Sequence, residues 1–343
     1  MDKIVKLEDV ARELNVSIVT VSNALAGRSG VSEELRSRIV EKAGQMGYRK
    51  KPRREKKTPS TSKLYQKGVR IGVIVPDAYL DRYTSFYWEL YQRLALEASR
   101  MGCFMVLEIL TAEQEEQNVF PAMMEEEQVD AIITLGILSY DYMKMLIEKA
   151  RCTVQMLDFN YDDILCDAVV SNGFYGSYQM TNYLIGLGHK KIGFLGEKLA
   201  AGSIMDRYQG YSKSLMEHDI EENAGWIVPI WDYRTGDIKI VLPDDMPTAF
   251  VCSSDYGAEY LATALMEAGY KIPEEISLVG YDDFLLKGKM QGRLTTYSVD
   301  MDTMAHQSLK LVFNRINGDQ SEKIVRTIDG KRVIRTSAVP CFE

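Results

Sequence analysis

The sequence predicts an α/β chain: three short helices at the N-terminus, then two doubly wound halves built on parallel sheets. Three observations carry this. Residues 5–48 place apolar residues at helical spacing. From Val69 onward, β-branched runs alternate with amphipathic stretches. The alternation restarts in mid-chain, where IGFLGE at 192–197 echoes IGVIVP at 71–76.

Leu7, Val10, Ala11 and Leu14 stand at i, i+3, i+4 and i+7, one face of a first helix. A tight turn at Asn15 and Val16 follows, and Ser17 is placed to cap a second helix. Val21 and Leu25 point back at the first helix, which leaves Ile18, Val19, Thr20, Ser22 and Asn23 on or near the outer face. Gly27 and Gly30 close this helix. Ser32 caps a third, with Leu35, Ile39, Ala43 and Met46 as its inner stripe and Gly47 at its end. Two helices across a short turn, braced by a third, form a helix-turn-helix headpiece, a motif that sets its second helix in the major groove of DNA.

The charge agrees. The chain has 343 residues and a net charge of −8. Residues 1–68 hold 16 of the 41 basic and 8 of the 49 acidic residues, a net +8, and the remainder carries −16. The basic end suits phosphates and the acidic body is repelled by them. Seven basic residues fall between Arg49 and Lys57 in a Pro-containing linker, 49–68, which reads as a solvated tether or as a phosphate-binding arm. Five scattered cysteines, odd in number and without CxxC spacing, argue against a disulfide framework or zinc site and read as small apolar residues. No cofactor or metal is expected. His189, His218 and His306 do not form HExxH, and no GxSxG or Walker loop occurs. His189 in GLGHKK reads as the end of a helix. No apolar run approaches the ~20 residues of a membrane span, so a cytoplasmic location is expected.

In the body, VRIGVIVP at 69–76 is a strand buried on both faces. Helices are predicted at 86–101, 114–128, 140–150 and 173–187, with strands CFMVLEI, DAIITLG, TVQMLDF and 167–171 between them. The second run comprises KKIGFLG, a helix over 206–218, WIVPIW, 239–242, TAFVCSS, a helix over 256–269 and SLVGYDD. Two such halves with a cleft between them give a periplasmic-binding-protein-like core, whose ligands lie beyond the carboxyl ends of the strands.

These motifs resemble a known family. N-V-S-x-x-T-V-S-x-A-L-A-G, preceded by E-D-V-A and followed by V-S-E-E-L-R-x-R-I and G-Y-R, is similar to the headpiece of the lactose-repressor/galactose-repressor (LacI/GalR) regulators. In the body, N-Y-L-I-G-L-G-H-K-K-I-G-F-L-G, R-Y-Q-G-Y, P-T-A-F-V-C-S-S-D, I-P-E-E-I-S-L-V-G-Y-D-D and L-T-T stand in family order. The resemblance implies a transcription regulator, a repressor of double-stranded operator DNA. It implies a headpiece at 1–48 and an effector-binding and dimerisation core at 69–343. The first subdomain is expected at about 69–168 plus 297–324, the second at about 169–296 plus 325–343. With no leucine-heptad tail before Glu343, a homodimer is expected.

By resemblance, Ile18, Val19 and Asn23 read bases, and Ser17, Thr20 and Ser22 contact phosphates or cap, with Lys6 and Arg28 as further DNA-contacting groups. Asn23 stands where many relatives carry arginine. In the cleft the resemblance points to Asp158, Arg207 and Asp282, to the aromatic pair Phe86 and Tyr87, to Trp231, and to Ser254 where relatives usually have asparagine. Such a set suits a sugar or related small metabolite: charged groups bridge hydroxyls and aromatic faces cover C–H surfaces. Asp158 and Asp282 have a plainer alternative as caps, and Arg207 as a surface ion pair. The linker departs from the family, with Arg54 and Lys57 about where the alanine and leucine of a hinge helix stand, and Pro52 and Pro59 around them. Two other classes remain as alternatives: a cytoplasmic binding protein with weakened DNA binding, and a sugar-acting enzyme with Asp158 and Asp282 as acid and base.

Overall fold

The computed structural model describes residues 7–25, 31–46, 68–79, 86–125, 129–199, 201–230, 238–284 and 287–342. Lys6, Arg28, Trp231 and linker positions 49–67 lie outside them. The chain divides into two compact units, 1–62 and 63–343, each taken here by itself.

The first unit holds α1 (Leu7–Glu13), α2 (Ile18–Leu25) and α3 (Glu33–Gln45). Val10 and Ala11, Val21 and Ala24, and Ile39 and Ala43 give each helix two fully buried residues in one shared core. Leu7, Leu14, Leu25, Leu35 and Met46 pack around it. The turn between α1 and α2 is closed by Asn15 at φ +52°, a left-handed conformation that asparagine tolerates. The Ser32 hydroxyl accepts from the Leu35 N–H at 3.4 Å and starts α3.

The second unit contains two six-stranded sheets. The first is formed by β1 (Arg70–Pro76), β2 (Phe104–Leu110), β3 (Ala131–Leu135), β4 (Thr153–Leu157), β5 (Asp167–Ser171) and, from the C-terminal region, β11 (Val325–Ile328). Their order is β11-β5-β4-β3-β1-β2, all parallel. The second is formed by β6 (Ile192–Leu195), β7 (Ile227–Val228), β8 (Ala249–Cys252), β9 (Ser277–Asp282), β10 (Thr295–Ser298) and β12 (Lys331–Val333). Its order is β12-β10-β9-β8-β6-β7, with only β12 antiparallel.

Helices cover the sheets by burying one stripe each. In α4 (Phe86–Arg100) the stripe is Leu90, Leu94 and Ala98, and in α7 (Tyr140–Lys149) it is Tyr142, Met143 and Leu146. α8 (Gly173–Gly186), α9 (Gly202–Glu217) and α10 (Asp255–Glu267) serve the second half, and α11 (Met301–Ile316) returns to pack on α4, β4 and β5. Among the described residues no helix is long and apolar enough to cross a membrane. All five cysteines are free thiols, with Cys103, Cys166 and Cys252 buried.

Several expected boundaries move. The single helix expected at 114–128 is instead α5 (Ala112–Glu116) and α6 (Ala122–Glu125). Pro121 cannot continue the hydrogen-bond ladder, Asn118 turns left-handed at φ +52°, and Glu108 accepts from the Ala122 and Met123 N–H groups to start α6. The strand expected over WIVPIW shrinks to Ile227–Val228, stopped by Pro229, and 239–242 forms none. α9 begins one turn earlier than expected.

The subdomain limits shift as well. Strand β5 lies wholly in the first sheet, so the first crossover follows Ser171 rather than residue 168. Strand β10 belongs to the second sheet and β11 to the first, which moves the other crossovers beyond 298 and 328. A buried ion pair accounts for part of this: Arg315 on α11 grips Asp167 with Nε at 2.6 Å and Nη2 at 2.9 Å. It also donates to the carbonyls of Ser321 and Glu322, which leads the chain into β11 beside β5.

Candidate functional site

Two surfaces have the make-up of a site, one in each unit. On the headpiece, Ser17 precedes α2 and its Oγ accepts from the Thr20 N–H at 3.0 Å. The Ser17 and Thr20 hydroxyls are hydrogen-bonded to each other at 2.8 Å. Both residues therefore serve the cap. With Val21 and Ala24 turned into the core, the helical period sends Ile18, Val19 and Ser22 outward. Ile18 is 46% and Val19 67% exposed, Ser22 is exposed and Asn23 is half-buried. Two exposed apolar side chains on a two-turn helix, outside the headpiece core formed by the described residues, have the character of a contact surface.

In the body the candidate site lies at the carboxyl ends of the strands, the side on which ligands bind in such sheets. Gly136 follows β3 at φ +83°, and a Cβ there would stand 2.7 Å from the ring of Tyr79. The missing side chain lets Tyr79 pack on Tyr87, ring centroids 4.3 Å apart. Phe86 opens α4 and meets Tyr87 edge-on at 5.4 Å and Phe284, from the other half, edge-on at 6.2 Å. The pair expected from the sequence is thus completed by two aromatics that the sequence reading did not single out, Tyr79 and Phe284.

Asp158 follows β4 directly at φ +69°, with its carboxyl buried. Burial lifts its pKa to about 6, while the positive charge of Arg207 and hydrogen bonds from Tyr87 and Ser171 pull the other way. Ser171 donates at 3.4 Å. Arg207, on α9, donates through Nη1 to the Ser253 carbonyl at 2.7 Å and sets its Cζ 4.0 Å from the ring centroid of Tyr281. Its Nε–H is buried without an acceptor. Asp282 ends β9 at φ +100°, and its Oδ1 accepts from the Phe284 N–H at 2.9 Å. Burial raises its pKa against the pull of Arg207.

Beside these groups lies a cavity of about 400 Å³ with walls from both halves, among them Asp158, Asn160, Tyr161, Ser171, Lys198 and Ser203. That is within the range of small-ligand sites, roughly 300–1,000 Å³. The arrangement can accept hydrogen bonds at a carboxylate, donate them from a guanidinium and cover an apolar edge with aromatic rings.

The structure brings Phe86, Tyr87, Asp158, Arg207 and Asp282 together. Ser254 is the N-cap of α10, its hydroxyl accepting from the Gly257 N–H at 3.0 Å, and it follows Ser253, whose carbonyl accepts from Arg207. Its hydroxyl is therefore used in the fold, unlike the amide of an asparagine that reaches past the cap. His189 stands just past the end of α8, its N–H on the Leu184 carbonyl at 3.2 Å, and its buried ring is within hydrogen-bonding distance of Thr248, Ser277 and the Val339 carbonyl. Ser171 and Tyr281 complete the site. Tyr281 sits inside the quoted G-Y-D-D motif, but β9 is apolar on both faces and gives no alternation from which its direction could be read.

Comparison with known proteins gives two family matches. The model described as bacterial regulatory proteins, lacI family, matches residues 6–51, and that described as periplasmic binding protein-like domain matches 181–338. The HTH-type transcriptional repressor PurR of Pasteurella multocida (strain Pm70) is 26% identical over 337 residues, covering 96% of this chain and 98% of the relative. That of Vibrio vulnificus (strain CMCP6) is 25% identical over 334 residues, covering 96% and 97%. Among solved structures, a complex of the transcriptional regulator CelR with cellobiose superposes at a TM-score of 0.66 with 19% identity, over 97% of this chain and 99% of that one. The lac repressor dimer bound to operator and the anti-inducer ONPF superposes at 0.63 with 20% identity, over 98% and 100%. A lacI-family regulator from Enterococcus faecium with bound ribose superposes at 0.63 with 22% identity, over 80% and 100%. At these identities the structural likeness is one of fold.

Proposed function

Since the chain belongs to the lacI family of bacterial regulatory proteins, we propose that it is a repressor that grips a palindromic operator as a homodimer and is controlled by a small polyhydroxylated metabolite, a sugar or sugar derivative, in the cleft of its body. The chain is a DNA-binding transcriptional regulator with a periplasmic-binding-like domain; repression, the palindrome, the dimer and the sugar are the proposed part. Its curated relatives are regulators, and the enzyme alternative is set aside with them.

The observation that carries DNA reading is the outward row Ile18, Val19 and Ser22 on a helix whose other side is locked by Val21 and Ala24. For the ligand, the support is the buried Nε–H of Arg207, which lacks an acceptor, together with the buried carboxyl of Asp158, whose pKa burial raises. A ligand hydroxyl accepts from the first and donates to the second. For the dimer, the support is apolar surface at one edge of the first sheet: Leu96 on α4 and Phe104 and Ile109 on the edge strand β2 are each about half exposed or more.

Both halves of the cleft contribute to the site, so a ligand bound there favours one angle between them. It can shift that equilibrium only by its differential affinity for the two arrangements.

The test uses full-length protein in two arms. Selection from random duplexes should return an inverted repeat, with log K falling linearly in log salt, by about 0.9 per phosphate neutralised. A thermal-shift screen against sugars, sugar phosphates, nucleosides and free bases should raise the melting temperature with one class, following RT ln(1 + [L]/Kd). Failure to select any sequence overturns the operator; a shift with free bases and with no sugar overturns the sugar.

A further inference from the structure

The second helix of the headpiece is eight residues long, and its last turn carries no basic residue. Its terminal carbonyls have no partner further along the helix. The neighbouring helix supplies one. Arg36, near the start of α3, sends Nη1 to the Ala24 carbonyl at 3.1 Å and to the Asn23 carbonyl at 3.5 Å. Its positive charge also meets the negative end of the α2 dipole. Helix α3 is anchored on its own account, by the Ser32 cap at one end and by Ile39 and Ala43 in the core. Arg36 therefore transmits the position of a firmly held helix to the end of a short one.

We infer that Arg36 is a positioning residue for base reading: by holding the Asn23 and Ala24 carbonyls from inside the headpiece it fixes where the Asn23 side chain meets the groove. This rests on the reading of α2 as the helix that contacts DNA. The physical reason is tolerance. A bidentate amide–base contact needs both hydrogen bonds at once, and supporting groups must hold such a side chain within about 0.5 Å. Asn23 lies two residues from the end of a two-turn helix, where an unheld backbone frays. Arg36 directs Nη1 to backbone carbonyls inside the headpiece, so on this inference it acts on specificity through α2 and not through a phosphate.

The experiment takes full-length wild type, Arg36→Ala, Arg36→Lys and Arg36→Gln onto the duplex that the wild type selects from random sequence. Each is also titrated onto the same duplex altered at the base pair where Asn23→Ala loses discrimination. For Arg36→Ala the ratio of the two Kd values should fall about tenfold, with an unchanged salt slope. Arg36→Lys should recover part of it, since an ammonium keeps the charge but lacks the planar fork. In an Asn23→Ala background, Arg36→Ala should change nothing further at that base pair. A uniform loss on both duplexes with a salt slope reduced by about one makes Arg36 a phosphate contact and overturns the inference. An unchanged ratio also overturns it. Should the alanine variant lose all salt-dependent binding through unfolding, the glutamine variant decides: a wild-type ratio overturns the inference and a reduced one supports it. A wild type that selects no sequence removes the DNA reading itself, and the inference with it.

Discussion

Arg207 sits over the ring of Tyr281 with its Cζ 4.0 Å from the ring centroid, while its Nη1 is tied to the carbonyl of Ser253. The stack and the tie fix the guanidinium from two sides and aim the remaining Nε–H, which is buried without an acceptor. Arginine is suited to this because its planar fork can stack and donate at once, and lysine is not. Arg207→Lys should therefore leave the fold intact but weaken the ligand found in the screen by 100-fold or more, about 3 kcal/mol. Isothermal titration of both proteins checks it. Equal affinities would mean that Nε does not bind the ligand.

Asp158 gives a pH dependence. Burial holds its folded pKa near 6, above the unfolded value of 3.8. Its contribution to stability is then fully present below about pH 4 and is lost as pH rises through 6, because the ionised carboxylate is costly inside the cleft. At neutral pH the cost is at most about 3 kcal/mol. Asp158→Asn keeps the shape, and asparagine tolerates the left-handed backbone at this position. Urea midpoints should show the variant more stable than wild type at pH 7.5, with little difference at pH 4, while the ligand-induced thermal shift disappears. A gain of the same size at both pH values would mean that ionisation of Asp158 is not its source.

Two glycines predict opposite outcomes. At Gly210 on α9 a Cβ would stand 2.1 Å from the Phe174 carbonyl oxygen on α8, and backbone cannot withdraw as a side-chain tip can. Gly210→Ala should destabilise the body by more than the roughly 1–3 kcal/mol of ordinary overpacking. At Gly186, the last residue of α8, nothing lies within 4 Å of an added Cβ. Gly186→Ala should be neutral or stabilising by up to about 1 kcal/mol. Thermal melts of the two variants beside wild type decide both.

The contrast between strongly periodic and irregular stretches explains what the sequence could reveal. The headpiece core residues Val10, Ala11, Val21, Ile39 and Ala43 were legible because each helix carries one apolar stripe. The parallel strands were legible because they are apolar on both faces, and that same feature hid the direction in which Tyr281 points. Strands β11 and β12 escaped detection: VRTI and KRV are short, polar edge strands, held in place by partners far away in sequence. Arg36 escaped for a related reason. Two of its partners are backbone carbonyls on another helix, and a carbonyl leaves no mark in a sequence. At Ser254 a motif position suggested a ligand contact, and the structure adds a role the motif did not reveal, the N-cap of α10.

Asn23 makes the sharpest prediction about DNA. The exposed apolar side chains of α2, Ile18 and Val19, have no hydrogen-bonding group, so they can contribute only apolar contact, for which the thymine methyl is the partner in the major groove. Asparagine pairs its amide with N6 and N7 of adenine, whereas arginine at the same place takes O6 and N7 of guanine. All three residues therefore favour A·T. The operator half-site should carry A·T at the base pair facing Asn23 and at a neighbouring position under Ile18 or Val19. Changing the first to G·C should cost about 1–3 kcal/mol for the wild type. Asn23→Arg should reverse the preference at that base pair, and Val19→Ala should relax the neighbouring one with little effect on headpiece stability, since Val19 is 67% exposed. Selection from random duplexes, repeated for the three proteins, reads all of this in one assay. A consensus with G·C opposite Asn23 in the wild type would show that the amide does not read that base in the way its chemistry prefers.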